Sequence, residues 1–189
     1  MRILGVDPGS RKTGFGILDV SADGRVLKCV EHGVFYLDVD TTPVQRLGEL
    51  AHRLRELVDI YKPQRAIIED VFMSNNPRSA LILGQARGVV LGILGLEKIS
   101  IFSYAPTFVK QQITGRGRAD KKQVAHMVCA MLNLAKPPAE DAADALALAI
   151  CGASSIRMPM LDKIPTAKRA SAQKKRQALY ELAKQQGKI

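Results

Sequence analysis

The chain has 189 residues, 47% hydrophobic and 24% charged, a length and balance that allow one domain with a sizeable core and exclude a disordered or fibrous protein. Three cysteines at wide spacing, Cys29, Cys129 and Cys151, suit neither a disulfide framework nor a zinc site and are expected to be core thiols. The formal net charge of +10 points toward nucleic acid, but nine Lys or Arg against two acids in residues 157–189 place most of the excess in a tail. Asp7 comes too soon after Met1 for a signal peptide, and the longest apolar run, residues 88–96, is about half of the roughly 20 residues a membrane helix needs. A cytoplasmic protein with no membrane contact is expected.

In chain order, residues 3–6 form a short apolar run, as in a strand buried on both faces, stopped by Asp7-Pro8-Gly9. Residues 14–20 and 26–36 read as two more strands joined by the turn signal Ala22-Asp23-Gly24. Residues 43–61 carry Val44, Leu47, Leu50, Leu54, Leu57 and Val58 at helical spacing. Residues 65–69 repeat the pattern of an apolar run closed by an acid and should lie beside the first strand. A helix over 79–94 has an unusually apolar, glycine-spotted surface; a fifth strand over 99–104 and a helix over 121–134 follow, before Pro137-Pro138. A last core helix over about 139–153 is apolar on nearly every side. This order implies an α/β fold, a five-stranded mixed sheet with helices on both faces, because the later strands require parallel crossovers. The domain should span 1–156. The basic tail, 157–189, offers few large apolar residues for a helix capped by Ser171 to dock, and is expected to be disordered without DNA.

Asp7 and Glu69 each close an apolar run, and neighbouring strands lie about 4.8 Å apart, so the two acids are candidates to stand side by side at one sheet edge. Carboxylates that close repel and need a proton or a cation between them. Asp7 before Pro8-Gly9 also fits a simple turn start. Glu69 is followed by Asp70, and period-two alternation turns those two to opposite faces, so only one can share a face with Asp7. Asp141 and Asp144, three apart, fall on one side of the last helix. Acids near a helix start stabilise its dipole by roughly 0.3–1 kcal/mol, which accounts for Glu140 and Asp141. It accounts less well for Asp144, since an unpaired buried carboxylate costs several kcal/mol. Four acids together suit two divalent cations, and oxygen-only ligands favour Mg²⁺, with Mn²⁺ as a substitute. Such a pair fits phosphodiester hydrolysis. His32, His52 and His126 are scattered and sit in no nucleophile motif.

The segments GVDPGSRKTGFGI, AIIEDVFMSNNPRSALILGQARGVV, TGRGRADKKQVAHMV and EDAADALALAI, in this order, resemble the RuvC Holliday junction resolvases of bacteria across about residues 1–153. The resemblance implies a ribonuclease H-like fold, a homodimer, two Mg²⁺ per active site, and symmetric nicking of four-way junction DNA that leaves 5'-phosphate and 3'-hydroxyl ends. It implies RuvA and RuvB as partners in branch migration. Carried over by position, the catalytic and metal-binding carboxylates are Asp7, Glu69, Asp141 and Asp144. The family's functional lysines fall in the segments holding Lys110 and Lys121, and its aromatic near the junction centre falls on Phe72. Lys121 is expected to serve both catalysis and phosphate binding. The tail is not covered.

For DNA contact, Arg116 and Arg118 lie in a basic glycine-bearing loop before a helix whose amides could face phosphate, flanked by Lys110 and Lys121. Phe72, followed by the polar loop 73–78 that ends in Arg78, is a candidate wedge between bases, although it also suits a core position at a strand end. The apolar helix over 79–94 is a candidate dimer interface or an ordinary core helix. Two other classes remain open: an actin-like ATP-binding domain, which would need a second domain and phosphate loop, and a non-catalytic DNA binder, which would not need Glu69, Asp141 and Asp144 together.

Overall fold

The computed structural model describes residues 1–70 and 76–157. Its elements are β1 (Arg2–Asp7), β2 (Lys12–Val20), β3 (Leu27–Tyr36), α1 (Pro43–Tyr61), β4 (Arg65–Glu69), α2 (Pro77–Leu96), β5 (Ser100–Tyr104), α3 (Pro106–Thr114), α4 (Lys121–Met131) and α5 (Glu140–Arg157). The strands form one sheet in the order β3-β2-β1-β4-β5. The first three make an antiparallel meander. β4 and β5 are added parallel to β1 through the crossovers containing α1 and α2. This is the expected five-stranded mixed sheet.

Alternation along the strands divides two cores. Ile3 and Ile67 face one side and pack with α3, α4 and α5. Leu4, Val6, Ala66 and Ile68 face the other and pack with α1 and α2. β1 sits at the centre, with Ile3, Leu4 and Val6 fully buried, which is why its apolar run is continuous rather than alternating.

α5 lies unusually close to the sheet because glycines leave room for its backbone. A Cβ on Gly5 would stand 1.9 Å from the Ala145 carbonyl oxygen, and one on Gly14 would stand 1.9 Å from the Asp141 carbonyl oxygen. Gly14 also pairs with Asp7 across β1 and β2. The start of α5 is thereby set over the end of β1 that carries Asp7.

Some expectations are revised. α3 was not anticipated: its nine residues show only Phe108, Val109 and Ile113 as large apolar side chains, too few to read a period, and Pro106 opens it while Gly115, at φ 74°, closes it. α4 ends at Met131, three residues early, and α5 runs on to Arg157. The compact unit that holds the sheet spans Met1–Arg157. Cys151 is buried, but Cys29 and Cys129 are only partly so, and all three are free thiols. Phe72 and the tail from 158 onward lie outside the described residues.

α2 buries Ala86, Val90 and Leu94 while exposing Leu81, Ile82 and Leu96. By length and composition it is a helix long and apolar enough to cross a membrane, contrary to the estimate from its longest uninterrupted run. Its place in the fold argues against that use. Its inner face belongs to the core shared with α1, and Arg87 in its middle would cost about 2.5–3.5 kcal/mol at the centre of a bilayer.

Candidate active site

Asp7 ends β1 and Glu69 ends β4. The parallel register runs Ile3 with Arg65 through Val6 with Ile68, so Asp7 and Glu69 occupy the next level at the same sheet edge. Both follow the odd-numbered residues that face α5, whereas Asp70 falls on the α2 side. The alternation read from sequence therefore selects Glu69 over Asp70. Asp141 lies in the first turn of α5 with its carbonyl against Gly14, and Asp144 follows one turn later. Two strands and one helix thus deliver four carboxylates to one end of one face.

Their electrostatics record this convergence. Burial raises the Asp7 carboxyl from 3.8 to about 7, with further upward pressure from Glu69, Asp144 and Asp141 and a downward pull from Lys121. Burial also raises Glu69, with Asp144 adding to it and Lys121, Lys110 and Arg87 opposing. Asp144 is raised by burial and drawn down by Lys121. Among the described residues no three His, Cys, Asp or Glu side chains already form a metal cage. The acids are close enough to repel through a poorly hydrated edge, and such repulsion is relieved by a proton or by a cation between them. The all-oxygen donor set fits Mg²⁺ or Mn²⁺ and excludes the sulfur and imidazole chemistry of structural zinc.

The proton linkage has a measurable sign. The folded Asp7 keeps its proton up to about pH 7, while the unfolded chain loses it near 3.8, so the folded state holds the extra proton between those values. Asp7 consequently costs nothing below about pH 4 and destabilises the metal-free protein progressively up to about pH 7. At about 1.4 kcal/mol per pKa unit, the cost is bounded at about 4 kcal/mol. Thermal unfolding in EDTA from pH 4 to 8 should show Asp7→Asn gaining stability relative to wild type as pH rises through this window; a difference independent of pH would contradict the assignment.

Both lysines named from the sequence reach this cluster. Lys121 opens α4, places Nζ 3.7 Å from Asp144 Oδ2 and forms an ion pair with Glu140. Its pKa is raised chiefly by the hydrogen bond to Glu140, with Asp144 and Asp7 contributing. Lys110, on α3, lies near enough to Glu69 to lower its pKa. Arg116 and Arg118 are exposed in the loop between α3 and α4, and Arg78 is exposed in the first turn of α2. The expectation that α4 amides are open to phosphate needs correction. Asp120 caps the helix, accepts the Gln123 N–H at 2.8 Å, and places a negative charge there. Of the histidines, His52 pairs with Glu56 on α1 and His126 meets the Lys122 carbonyl, both away from the carboxylates.

Two participants escaped the sequence. Glu140 looked like a helix-dipole acid but engages Lys121. Arg87 donates to the Glu69 carbonyl from α2. The signal for Arg87 was its place as the one cation inside the apolar stretch of α2; no periodicity connects it with a strand end eighteen residues earlier.

Comparison with known proteins accords with this geometry. The family model described as crossover junction endodeoxyribonuclease RuvC matches residues 3–152. A protein of that name from Polynucleobacter necessarius subsp. necessarius is 46% identical over 159 residues, which is 84% of this chain and 92% of the relative. The Thermus thermophilus RuvC structure superposes with a TM-score of 0.75 at 31% identity, covering 84% of this chain and 97% of that one. The same organism's RuvC in complex with a Holliday junction substrate gives 0.78 at 29% identity, covering 84% and 96%. The sheet order and layering are those of a ribonuclease H-like resolvase. The chain belongs to the RuvC family of crossover junction endodeoxyribonucleases.

Proposed function

We propose that this chain resolves Holliday junctions as a divalent-metal-dependent endonuclease, with Asp7, Glu69, Asp141 and Asp144 holding Mg²⁺, or Mn²⁺ in its place. The observation that carries this reading is the arrival of four carboxylates from β1, β4 and α5 at one poorly hydrated edge, where burial and mutual repulsion raise the pKa of Asp7 to about 7. When bound, a pair of such ions supplies an activated water and stabilises the leaving oxygen of an in-line displacement at phosphorus. Lys121 Nζ, beside Asp144 and steadied by Glu140, presents a positive charge to a phosphate oxygen entering the site. Lys110 does the same from the Glu69 side.

Arg116, Arg118 and Arg78 extend this positive surface outside the cluster. They would bind backbone phosphate rather than read bases. Replacing both Arg116 and Arg118 with Ala is expected to weaken junction binding uniformly across core sequences and to reduce the slope of log affinity against log salt by about 2. Fluorescence anisotropy over a salt series checks this.

Paired cuts imply two tetrads, hence two copies of the chain about a two-fold axis. The exposed face of α2 suits this contact: Leu81, Ile82 and Leu96 are accessible, and Gly84, Gly88, Gly92 and Gly95 have nothing within 4 Å of a Cβ position. Small residues let a second helix approach closely, and the apolar ends supply the burial. Leu81→Asp should shift the protein from dimer to monomer in sedimentation analysis and lose coordinated cutting of the two strands. RuvA and RuvB would act with this dimer by moving the branch point to a cleavable position.

The activity is tested with a synthetic four-way junction bearing a mobile core, in Mg²⁺ and in EDTA. Paired, ligatable nicks only with Mg²⁺ support the reading. Binding without metal-dependent cutting, across several core sequences, would replace the enzyme by a pure junction binder.

A further inference from the structure

On the α2 face of the sheet, directly behind Glu69, Arg87 Nη1 donates to the Glu69 backbone carbonyl. Its Nη2 donates to Ser103 Oγ at 3.0 Å and lies 3.8 Å from Asp70 Oδ1. The Arg87 side chain is only 16% exposed. A guanidinium this enclosed is committed to its partners, because burial without them would cost several kcal/mol.

The backbone explains why a donor is needed at this carbonyl. Asp70 donates its N–H to the Tyr104 carbonyl at 2.8 Å, toward β5. The Glu69 C=O and the Asp70 N–H share one trans peptide group and point in opposite directions, so the Glu69 carbonyl turns toward β1. The N–H in register there would come from residue 8, which is Pro8 and has none. The pairing of β1 with β4 accordingly ends at Val6 and Ile68. Arg87 supplies the missing donor and at the same time joins Glu69 to Ser103 of β5 and to its own neighbour, Asp70.

We propose that Arg87 is a positioning residue that fixes the backbone of Glu69 from behind the sheet, so that the Glu69 carboxylate on the opposite face is held where a cation can use it. The proposal rests on the reading of Glu69 as a metal ligand. Arg87 touches neither metal nor DNA in this scheme. Partners that orient ligands in this way typically contribute 10–100-fold to metal affinity.

The test uses the full chain with Arg87→Met, Arg87→Lys and Glu69→Gln. Mn²⁺ binding to the DNA-free protein is followed by calorimetry, junction affinity is measured in EDTA, cutting is measured against Mn²⁺ concentration, and thermal unfolding is recorded. Arg87→Met should weaken Mn²⁺ binding about tenfold and raise the Mn²⁺ concentration for half-maximal cutting by a similar factor. Its junction affinity in EDTA should stay within about twofold of wild type. Arg87→Lys, which keeps the charge but cannot span Glu69 and Ser103 together, should fall between the two. Lowered thermal stability with wild-type Mn²⁺ binding, alongside an inactive Glu69→Gln, would overturn the role of Arg87 alone. Normal Mn²⁺-dependent cutting by Glu69→Gln would overturn both this role and the ligand assignment. If Arg87→Met does not fold, Arg87→Lys decides: about threefold weaker Mn²⁺ binding supports the proposal, and unchanged binding overturns it.

Discussion

Asp144→Asn is expected to lower the rate of junction cutting by about 10³-fold or more, equivalent to at least about 4 kcal/mol of transition-state stabilisation, while junction binding stays within about twofold. Asn preserves the size of the side chain and removes one of the four negative charges. Because Asp144 lies among partly buried acids and its pKa is raised by burial, an Asn there relieves repulsion in the metal-free protein and should not unfold it. Lys121 loses one partner but keeps Glu140, so its charge stays near the site and phosphate affinity is preserved. Single-turnover cutting with saturating protein, beside a binding titration in EDTA, separates the two quantities. Loss of cutting together with a large loss of binding would mean that Asp144 supports the fold or the DNA surface rather than the chemistry.

The second large effect is expected from Gly14→Ala, a change of one methyl group with no charge. The added Cβ would lie 1.9 Å from the Asp141 carbonyl oxygen and 2.4 Å from its carbonyl carbon. Both are backbone atoms with no rotamer to escape into, so the start of α5 must move off the sheet. Overpacking of this kind costs roughly 1–3 kcal/mol. A displacement near 1 Å at reacting groups costs on the order of 10²-fold in rate. Asp141 and Asp144 would shift away from Asp7 and Glu69 together. Gly48→Ala is the control, since its Cβ meets nothing within 4 Å on α1 and should stabilise the helix by about 0.5–1 kcal/mol. Equal cutting by Gly14→Ala and wild type would contradict the close seating of α5.

The residues that were legible in the sequence share a physical reason. β1 and β4 are buried on both faces, so their apolar runs are uninterrupted and the acid closing each run stands out against them. α5 is buried nearly throughout, which made Asp144 an anomaly that demanded a partner. The period-two argument on Glu69 and Asp70 held because β4 pairs with β1 and β5 without a register shift. What could not be read depends on contacts between distant elements. α3 is too short to display a period. Asp120 caps α4 directly after a basic loop, and that composition masks the capping acid. The role of Arg87 requires knowing that Pro8 leaves the Glu69 carbonyl without a ladder donor, a fact about register that no spacing reveals. The close seating of α5 on Gly5 and Gly14 depends likewise on a contact between a helix and strands far away in the chain.

Anomalous diffraction from crystals soaked in Mn²⁺ tests most directly the proposal that Asp7, Glu69, Asp141 and Asp144 together hold the cations used for cutting. Two anomalous peaks bounded by these four carboxylates in the wild type, reduced or lost in Asp144→Asn, are the expected result. Mn²⁺ bound elsewhere, or no peak at this edge in crystals of a preparation that cuts junctions in Mn²⁺, would contradict it.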